Sequence, residues 1–300
     1  MRILKLLLKL LLAIVVIALA AYAYVHFSLN GRIDKTYAVS VPPIAVPAGD
    51  AAAIERGRYL AHGVSMCVEC HGEDLGGKMM IESPVMGYIG GTNLTRGRGG
   101  LGSTYTDEDF VRAIVHGVRK DGRSVVFMPS QDYKFSQSDV GALIAYLRSV
   151  PPVDRVMPPQ RPGPMARILT AAGAFPLLPA EMIDHANVTF APDRRADTPQ
   201  AAGEYLISSA GCRGCHGPGL TGEGGMPGAG NLTPVGIGHY SESDFKRALR
   251  EWKRPNGTDI LPDMPRAFGQ LSDEDIAKMF AYLKTVAPAG KKAKGQMAGN

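Results

Sequence analysis

Two five-residue stretches, Cys67-Val68-Glu69-Cys70-His71 and Cys212-Arg213-Gly214-Cys215-His216, decide how the 300-residue chain is organised. Both have the form C-x-x-C-H, and together they use all 4 cysteines. Two thiols three positions apart on a short turn can add to the two vinyl groups of one haem, and the histidine that follows then lies under the iron as proximal ligand. The pattern therefore predicts two covalently bound haem c groups, attached through Cys67, Cys70, Cys212 and Cys215, with His71 and His216 on the irons. The second ring nitrogen of each histidine should donate to a backbone carbonyl, which fixes the ring and raises its basicity. A four-cysteine zinc ribbon fits poorly. Its pairs lie about 15 to 20 residues apart, whereas Cys70 and Cys212 are separated by 142. A redox disulfide inside each pair would give no role to a histidine after both copies.

Working outward, the surroundings of the two motifs repeat. Asp109-Phe110-Val111-Arg112-Ala113 returns as Asp244-Phe245-Lys246-Arg247-Ala248, Asn93-Leu94-Thr95 as Asn231-Leu232-Thr233, and Ala145-Tyr146-Leu147 as Ala281-Tyr282-Leu283, at offsets of 135, 138 and 136. The cysteine motifs are offset by 145, so the copies differ mainly in the loop just after each motif. Each copy reads as three helices with almost no strand signal. Helix starts are marked by Thr106-x-x-Asp109, Ser136-x-x-Asp139, Ser241-x-x-Asp244 and Ser272-x-x-Asp275, each flanked by an apolar staple such as Tyr105 with Phe110 or Leu271 with Ile276. The first helices begin near Asp50 and at Thr198-Pro199. The 36 glycines and 22 prolines suit small folds that wrap a large cofactor.

A sixth iron ligand is expected from methionine. Met66, Met79, Met80, Met86 and Met128 are available in the first copy, and Met226, Met264 and Met279 in the second. Met128-Pro129 and Met264-Pro265 alone recur at the offset of 136, each on a loop before the last helix. A following proline restricts the backbone that aims the sulfur. Met86 and Met226 are the rivals, and Met279 belongs to the core. His62, His116 and His239, unmatched between copies, read as surface or loop residues.

From Leu10 to Val25 the chain carries sixteen uncharged residues, extended backward to Ile3, a length that can span a bilayer. Arg2, Lys5 and Lys9 precede it, so the positive-inside bias places the body outside the cytoplasm. An uncleaved anchor through residues 3–27 is expected, with Tyr22, Tyr24 and Phe27 as an interfacial belt. The rival is a cleaved signal peptide, for which Ala18-Leu19-Ala20 and Ala21-Tyr22-Ala23 offer sites. Without the three basic residues at each end, including Lys291, Lys292 and Lys294, 27 basic face 28 acidic residues. Nucleic-acid binding therefore has no support.

The arrangement of C-x-x-C-H, a glycine-rich loop with Asn-Leu-Thr, a helix, then Met-Pro before a closing helix containing Ala-Tyr-Leu resembles the class I cytochrome c domain. The expected fold is all-α, with two tandem domains behind an N-terminal transmembrane helix. Its parts are residues 1–30 as anchor or signal, 31–49 as linker, 50–150 as domain 1, 151–197 as a Pro-rich interdomain segment, 198–287 as domain 2 and 288–300 as a basic flexible tail. The resemblance implies that the first and last helices of each domain cross, with Gly57 and Gly203 permitting close approach to the Tyr146 and Tyr282 helices. It also implies haem edges open to partners. The segment from Pro151 to Asp197 is expected to pack along the seam between domains and fix the haem separation.

With His71 and Met128 on one iron and His216 and Met264 on the other, no coordination position is left for substrate, which predicts an electron carrier rather than an enzyme. The expected role is relay between a membrane-associated dehydrogenase or quinol-oxidising complex and a soluble cytochrome or terminal oxidase. The setting would be the periplasmic face of a bacterial inner membrane, and the chain could be the cytochrome subunit of a dehydrogenase complex. The alternative is a dihaem redox enzyme, a peroxidase or a sulfur-compound oxidising cytochrome, which would need one open or unusually ligated haem.

Overall fold

The computed structural model describes residues 2–287. The tail expected over 288–300, with its three lysines, lies outside the described residues. The first helix, α1 (Arg2–Asp34), is long and apolar enough to cross a membrane and is unburied along its apolar window. It is not free at its end. Leu29 is buried against Ile89, Leu177 and Leu178, and Arg32 forms a bidentate pair with Glu181, its shorter contact 2.6 Å.

The two copies then follow in the expected order. Domain 1 contains α2 (Ala51–Tyr59), whose continuation over Leu60–Val64 widens to π geometry. After it come α3 (Cys67–His71), α4 (Asp107–His116) and α5 (Gln137–Ser149). Domain 2 contains α7 (Pro199–Ser209), α8 (Cys212–His216), a one-turn α9 (Pro234–Ile237), α10 (Glu242–Glu251) and α11 (Asp273–Leu283). Backbone conformation repeats as faithfully as sequence. Positive φ at Met66, Gly72 and Leu75 recurs at Gly211, Gly217 and Leu220, each shifted by the motif's own offset of 145. Leucine gains nothing intrinsic from φ near +54° or +59°. Full burial of Leu75 and Leu220 holds both in place.

Within each domain the first and last helices cross at glycine, as the resemblance implies. A Cβ on Gly57 would run into the Ala142 carbonyl and lie 2.6 Å from the Tyr146 Cβ, and one on Gly203 would meet the Lys278 carbonyl and the Tyr282 Cβ. One apolar cluster, from Leu60, Val64, Phe110 and Leu143 to Leu206, Phe245, Ile276 and Leu283, runs through both domains.

The predicted helix starts hold: Thr106, Ser136, Ser241 and Ser272 all sit at N-cap positions and accept from the amide three residues on. At Thr106 and Ser241 the acidic residue completes a reciprocal capping box. At the other two starts a tyrosine of the opposite domain intervenes. The Ser136 amide donates to the Tyr205 hydroxyl, which donates in turn to Asp139 at 2.6 Å. The Ser272 amide donates to the Tyr59 hydroxyl, which donates to Asp275 at 2.7 Å. The caps of the closing helices are thus the fastening between domains. Burial pushes both tyrosines up to about 12, which keeps them as hydroxyl donors.

Two expectations differ from the structure. A small sheet exists, ordered β1-β2-β3: β1 (Lys78–Ser83) pairs antiparallel with β2 (Gly87–Gly91), and β2 with β3 (Arg161–Pro162). Three glycines in β2 and a proline in β3 are weak strand formers. Tertiary contact supplies what propensity lacks, since Gly91 abuts the Cys70 carbonyl and the Gln160 side chain brackets both backbone groups of Gly90. The second difference concerns 151–197, most of which wraps domain 1 rather than the seam. Val153 and Arg155 carbonyls accept from Asn93 at 2.7 and 3.0 Å, β3 extends the sheet, and α6 (Pro164–Ala171) lies against α1. Only its last part reaches the seam, where the Ala191 amide donates to Phe135 and Arg195 faces Asp139.

Candidate functional site

Each C-x-x-C-H motif is a single helical turn entered through a left-handed residue, Met66 before α3 and Gly211 before α8. His71 Nδ1 donates to the Thr92 carbonyl and His216 Nδ1 to the Gly230 carbonyl, both at 2.7 Å. Those carbonyls are the orienting partners whose identity the spacing alone left open. Each immediately precedes an Asn-Leu-Thr element. Asn93 Oδ1 accepts from the Thr95 amide and hydroxyl, and Asn231 Oδ1 does the same for Thr233. The repeated tripeptide folds the loop so that the carbonyl ahead of it faces the imidazole and takes Nδ1, which leaves Nε2 outside that bond. Burial lowers the pKa of both histidines, which favours the neutral imidazole.

In domain 1, Cys67, Cys70, His71 and Met128 line one deep cavity. Its wall is mostly apolar, with Leu94, Phe110, Ile114, Leu143 and Leu147 among the lining residues. It holds no carboxylate and no histidine but His71. Met66 and Met80 also reach this cavity, whereas Met86, the expected rival, sits half-buried in the turn between β1 and β2 outside its lining. In domain 2, Cys212 and Met264 both pack half-buried against the shared core. Met226 is largely exposed, and its amide donates to the Cys215 carbonyl at 2.7 Å. Met279 is buried in the core as expected.

No disulfide joins any of the four cysteines. Burial pushes Cys67 up to about 11 and Cys212 up to about 12, opposite to the lowered value of a redox-active C-x-x-C pair. Among the described residues no cluster of three or more His, Cys, Asp or Glu side chains exists. Paired thiols, a neutral imidazole with one free nitrogen and an apolar cavity closed by thioether sulfur suit a covalently held haem.

The unmatched histidines divide. His239 is exposed on a loop as expected. His62 is half-buried with Nε2 2.8 Å from the Tyr146 hydroxyl. His116, expected at the surface, is buried at the end of α4, where its Nδ1 lies 3.2 Å from His185 Nδ1. The partner comes from the interdomain segment, 69 residues on, which no local pattern reveals.

Each motif meets the loop after the other domain's methionine across the seam. Tyr133, from the loop after Met128, donates to the Ser65 carbonyl at 2.9 Å beside the first motif. Its ring packs against Gly211 at the entry to the second. In the other direction Glu69, inside the first motif, accepts from the Ala267 amide at 2.8 Å on the loop after Met264. Sequence repetition could not show this, because none of these contacts lies within a repeat.

Comparison with known proteins agrees with this geometry. Residues 200–287 match the family model described as cytochrome c, and residues 52–147 match that of cytochrome c oxidase, cbb3-type, subunit III. The chain is 33% identical over 257 residues to the fructose dehydrogenase cytochrome subunit of Gluconobacter japonicus, covering 82% of this chain and 47% of that one. It is 30% identical to the alcohol dehydrogenase (quinone) cytochrome c subunit of Gluconobacter oxydans, covering 81% and 57%. It is 29% identical to the gluconate 2-dehydrogenase cytochrome c subunit of Pantoea cypripedii, covering 78% and 60%. The chain thus spans about half the length of these relatives.

Proposed function

We propose that this chain, whose two C-x-x-C-H domains belong to the cytochrome c family, relays single electrons between a membrane-associated dehydrogenase and a soluble cytochrome or terminal oxidase. The observation that carries this is the domain 1 cavity, where Cys67, Cys70, His71 and Met128 converge within a mostly apolar wall that has no carboxylate. Haem bound there supplies the one-electron ferric–ferrous couple. His71 and Met128 would hold the iron of one haem, and His216 and Met264 that of the other. Thr92 and Gly230 orient the imidazoles, and the apolar wall together with thioether sulfur favours the reduced state. If His71 with Met128 and His216 with Met264 fill the coordination of both irons, no position is left for peroxide, which argues against the catalytic alternative.

The contacts of Tyr133 with Ser65 and Gly211 support electron exchange between the two centres across the seam. The relatives' own names, cytochrome subunits of fructose, alcohol and gluconate dehydrogenases, support a dehydrogenase as donor. Membrane attachment through residues 3–27, with the domains on the periplasmic side of a bacterial inner membrane, follows from the cations ahead of the span. The packing of Leu29, Asn30 and Arg32 onto the body supports an uncleaved α1.

Quantifying haem in the purified, denatured chain tests the core of this reading. Two haems per polypeptide are expected to remain attached after denaturation. A colourless polypeptide, or one with a single macrocycle, would refute it. The mass of the mature chain tests the anchor: loss of residues 1–20 or 1–23 would show a signal peptide.

A further inference from the structure

The interdomain segment turns apolar from Met165 onward, and the electron-relay reading gives that stretch no task. Helix α6 presents Met165 and Ile168, 41% and 44% exposed, on one face. Ala171, Ala172 and Ala174 continue the exposed surface through the turn that follows. Val85, 54% exposed at the tip of the β1–β2 hairpin, is tied to the same face by the Met165 amide, which donates to the Val85 carbonyl at 3.0 Å. Isolated exposed apolar side chains need no explanation, but a contiguous patch does.

Its position says what covers it. The apolar run of α1 from Ile3 to Val25 rises about 33 Å at about 1.5 Å per residue, against a hydrocarbon core of about 30 Å. Helix α6 packs where that run ends. Arg167 donates to the His26 carbonyl at 3.4 Å and to Asn30 Oδ1 at 2.9 Å. The helix therefore lies level with the first turns that emerge from the core, where Tyr24 and Phe27 mark the headgroup layer. Its polar groups are already satisfied internally. Arg167, its only charge, also donates to the Pro162 carbonyl at 3.0 Å, and the Thr170 hydroxyl donates to the Ala166 carbonyl at 2.7 Å. An outward face without free charge, continuous with a spanning helix, is what a shallow interfacial element requires.

We propose that α6 and the turn after it, residues 164–174, lie in the membrane–water interface beside α1, so that the protein meets the bilayer both through a span and through a surface-lying element. This inference rests on α1 being an anchor. The second contact holds domain 1 at a fixed height and rotation over the membrane.

Nitroxide labels on single introduced cysteines in the full haem-loaded chain, reconstituted into phosphatidylcholine–phosphatidylglycerol vesicles, test it. Relaxation by oxygen, which concentrates in lipid, is compared with relaxation by a water-soluble nickel chelate. The Ile168→Cys and Met165→Cys labels should favour oxygen several-fold over a Val235→Cys label on domain 2. An Ile17→Cys label in the span sets the upper limit. Labels at 165 and 168 that match Val235 while Ile17 reports lipid would overturn the inference and leave the anchor intact. An Ile17 label that reports water would remove the anchor and the inference together. Labels at 165 and 168 shielded from both relaxants would assign the patch to a protein partner and overturn it as well.

Discussion

Replacing Asp139 with asparagine is the sharpest test of the buried carboxylate that Tyr205 of domain 2 grips across the seam. The Asp139 carboxylate is fully buried and receives Arg56 Nε and Nη2 at 2.9 and 2.7 Å and the Tyr205 hydroxyl at 2.6 Å, with Arg195 3.7 Å away. Asparagine keeps an acceptor for Tyr205 but removes the charge that Arg56 was buried against. Removing one partner of such a pair costs about 3–5 kcal/mol, because the other charge stays buried and uncompensated. The repeat supplies its own control. Asp275 occupies the equivalent place opposite Tyr59, but its nearest cation is Lys278 at 3.9 Å and its side chain remains 16% exposed. There the change weakens one charge-assisted hydrogen bond, worth about 1 kcal/mol. At about 2–4 °C per kcal/mol for a body of this size, Asp139→Asn should lower Tm by about 6–20 °C and Asp275→Asn by about 2–4 °C. Thermal unfolding of the detergent-solubilised holoprotein at pH 7, followed by far-UV circular dichroism, measures both. Equal losses, or an Asp139→Asn protein as stable as its parent, would refute the buried Arg56–Asp139 pair within domain 1 as what holds this carboxylate in place for Tyr205 of domain 2.

Met128→His and Met264→His should each lower the midpoint potential of one haem and leave the other near its original value, as thioether sulfur gives way to imidazole; a redox titration with both potentials unmoved would remove that methionine from the ligand set. Gly57→Ala and Gly203→Ala each place a methyl against a facing carbonyl, and overpacking of this kind costs about 1–3 kcal/mol. Unchanged denaturant midpoints would mean that the helices do not approach there. Burial, with His185 and Arg112 nearby, holds His116 down to about 4 from an ordinary 6.5. The unfolded chain therefore binds more protons than the folded one between those values, so the stability His116 contributes is full above pH 6.5 and drains away as pH falls toward 4. His116→Gln should flatten that part of the stability–pH curve, and a variant whose curve parallels the parent's would count against the buried histidine pair.

The parts of this molecule that were legible in its sequence are those whose chemistry is local. Serine and threonine at helix starts announce themselves, because a cap is satisfied by an amide three residues away. A C-x-x-C-H motif carries its function within five positions. The Asn-Leu-Thr repeat was visible as a repeat, but its task was not, since the carbonyl it aims belongs to the preceding residue and the imidazole that receives it lies about twenty residues upstream in domain 1. The sheet stayed hidden because Gly-Tyr-Ile-Gly-Gly and Arg-Pro are poor strand sequences. The wrap of 151–157 around domain 1 was hidden for another reason: Asn93 binds backbone carbonyls there, and any residue can offer a carbonyl.

The seam shows how far duplication alone reaches. Tyr59 serves Ser272 and Asp275 while Tyr205 serves Ser136 and Asp139, so residue i of one domain meets residue j of the other and the reverse also holds. That reciprocity is the mark of an isologous contact, the kind two identical subunits make about a two-fold axis. Two copies of one domain on one chain can use it without evolving a new surface on either. The axis is broken only in detail, by Arg195 and Asp193 on one side and by Glu69 reaching the Ala267 amide on the other. Because each haem motif sits beside the partner domain's methionine loop, the same local symmetry that fastens the domains also brings the two motifs together. Under the proposed relay, fastening and electron exchange draw on one interface, and Tyr205→Phe, which removes the hydroxyl that bonds Asp139 across the seam, should slow transfer between the haems in proportion to how far it loosens the seam.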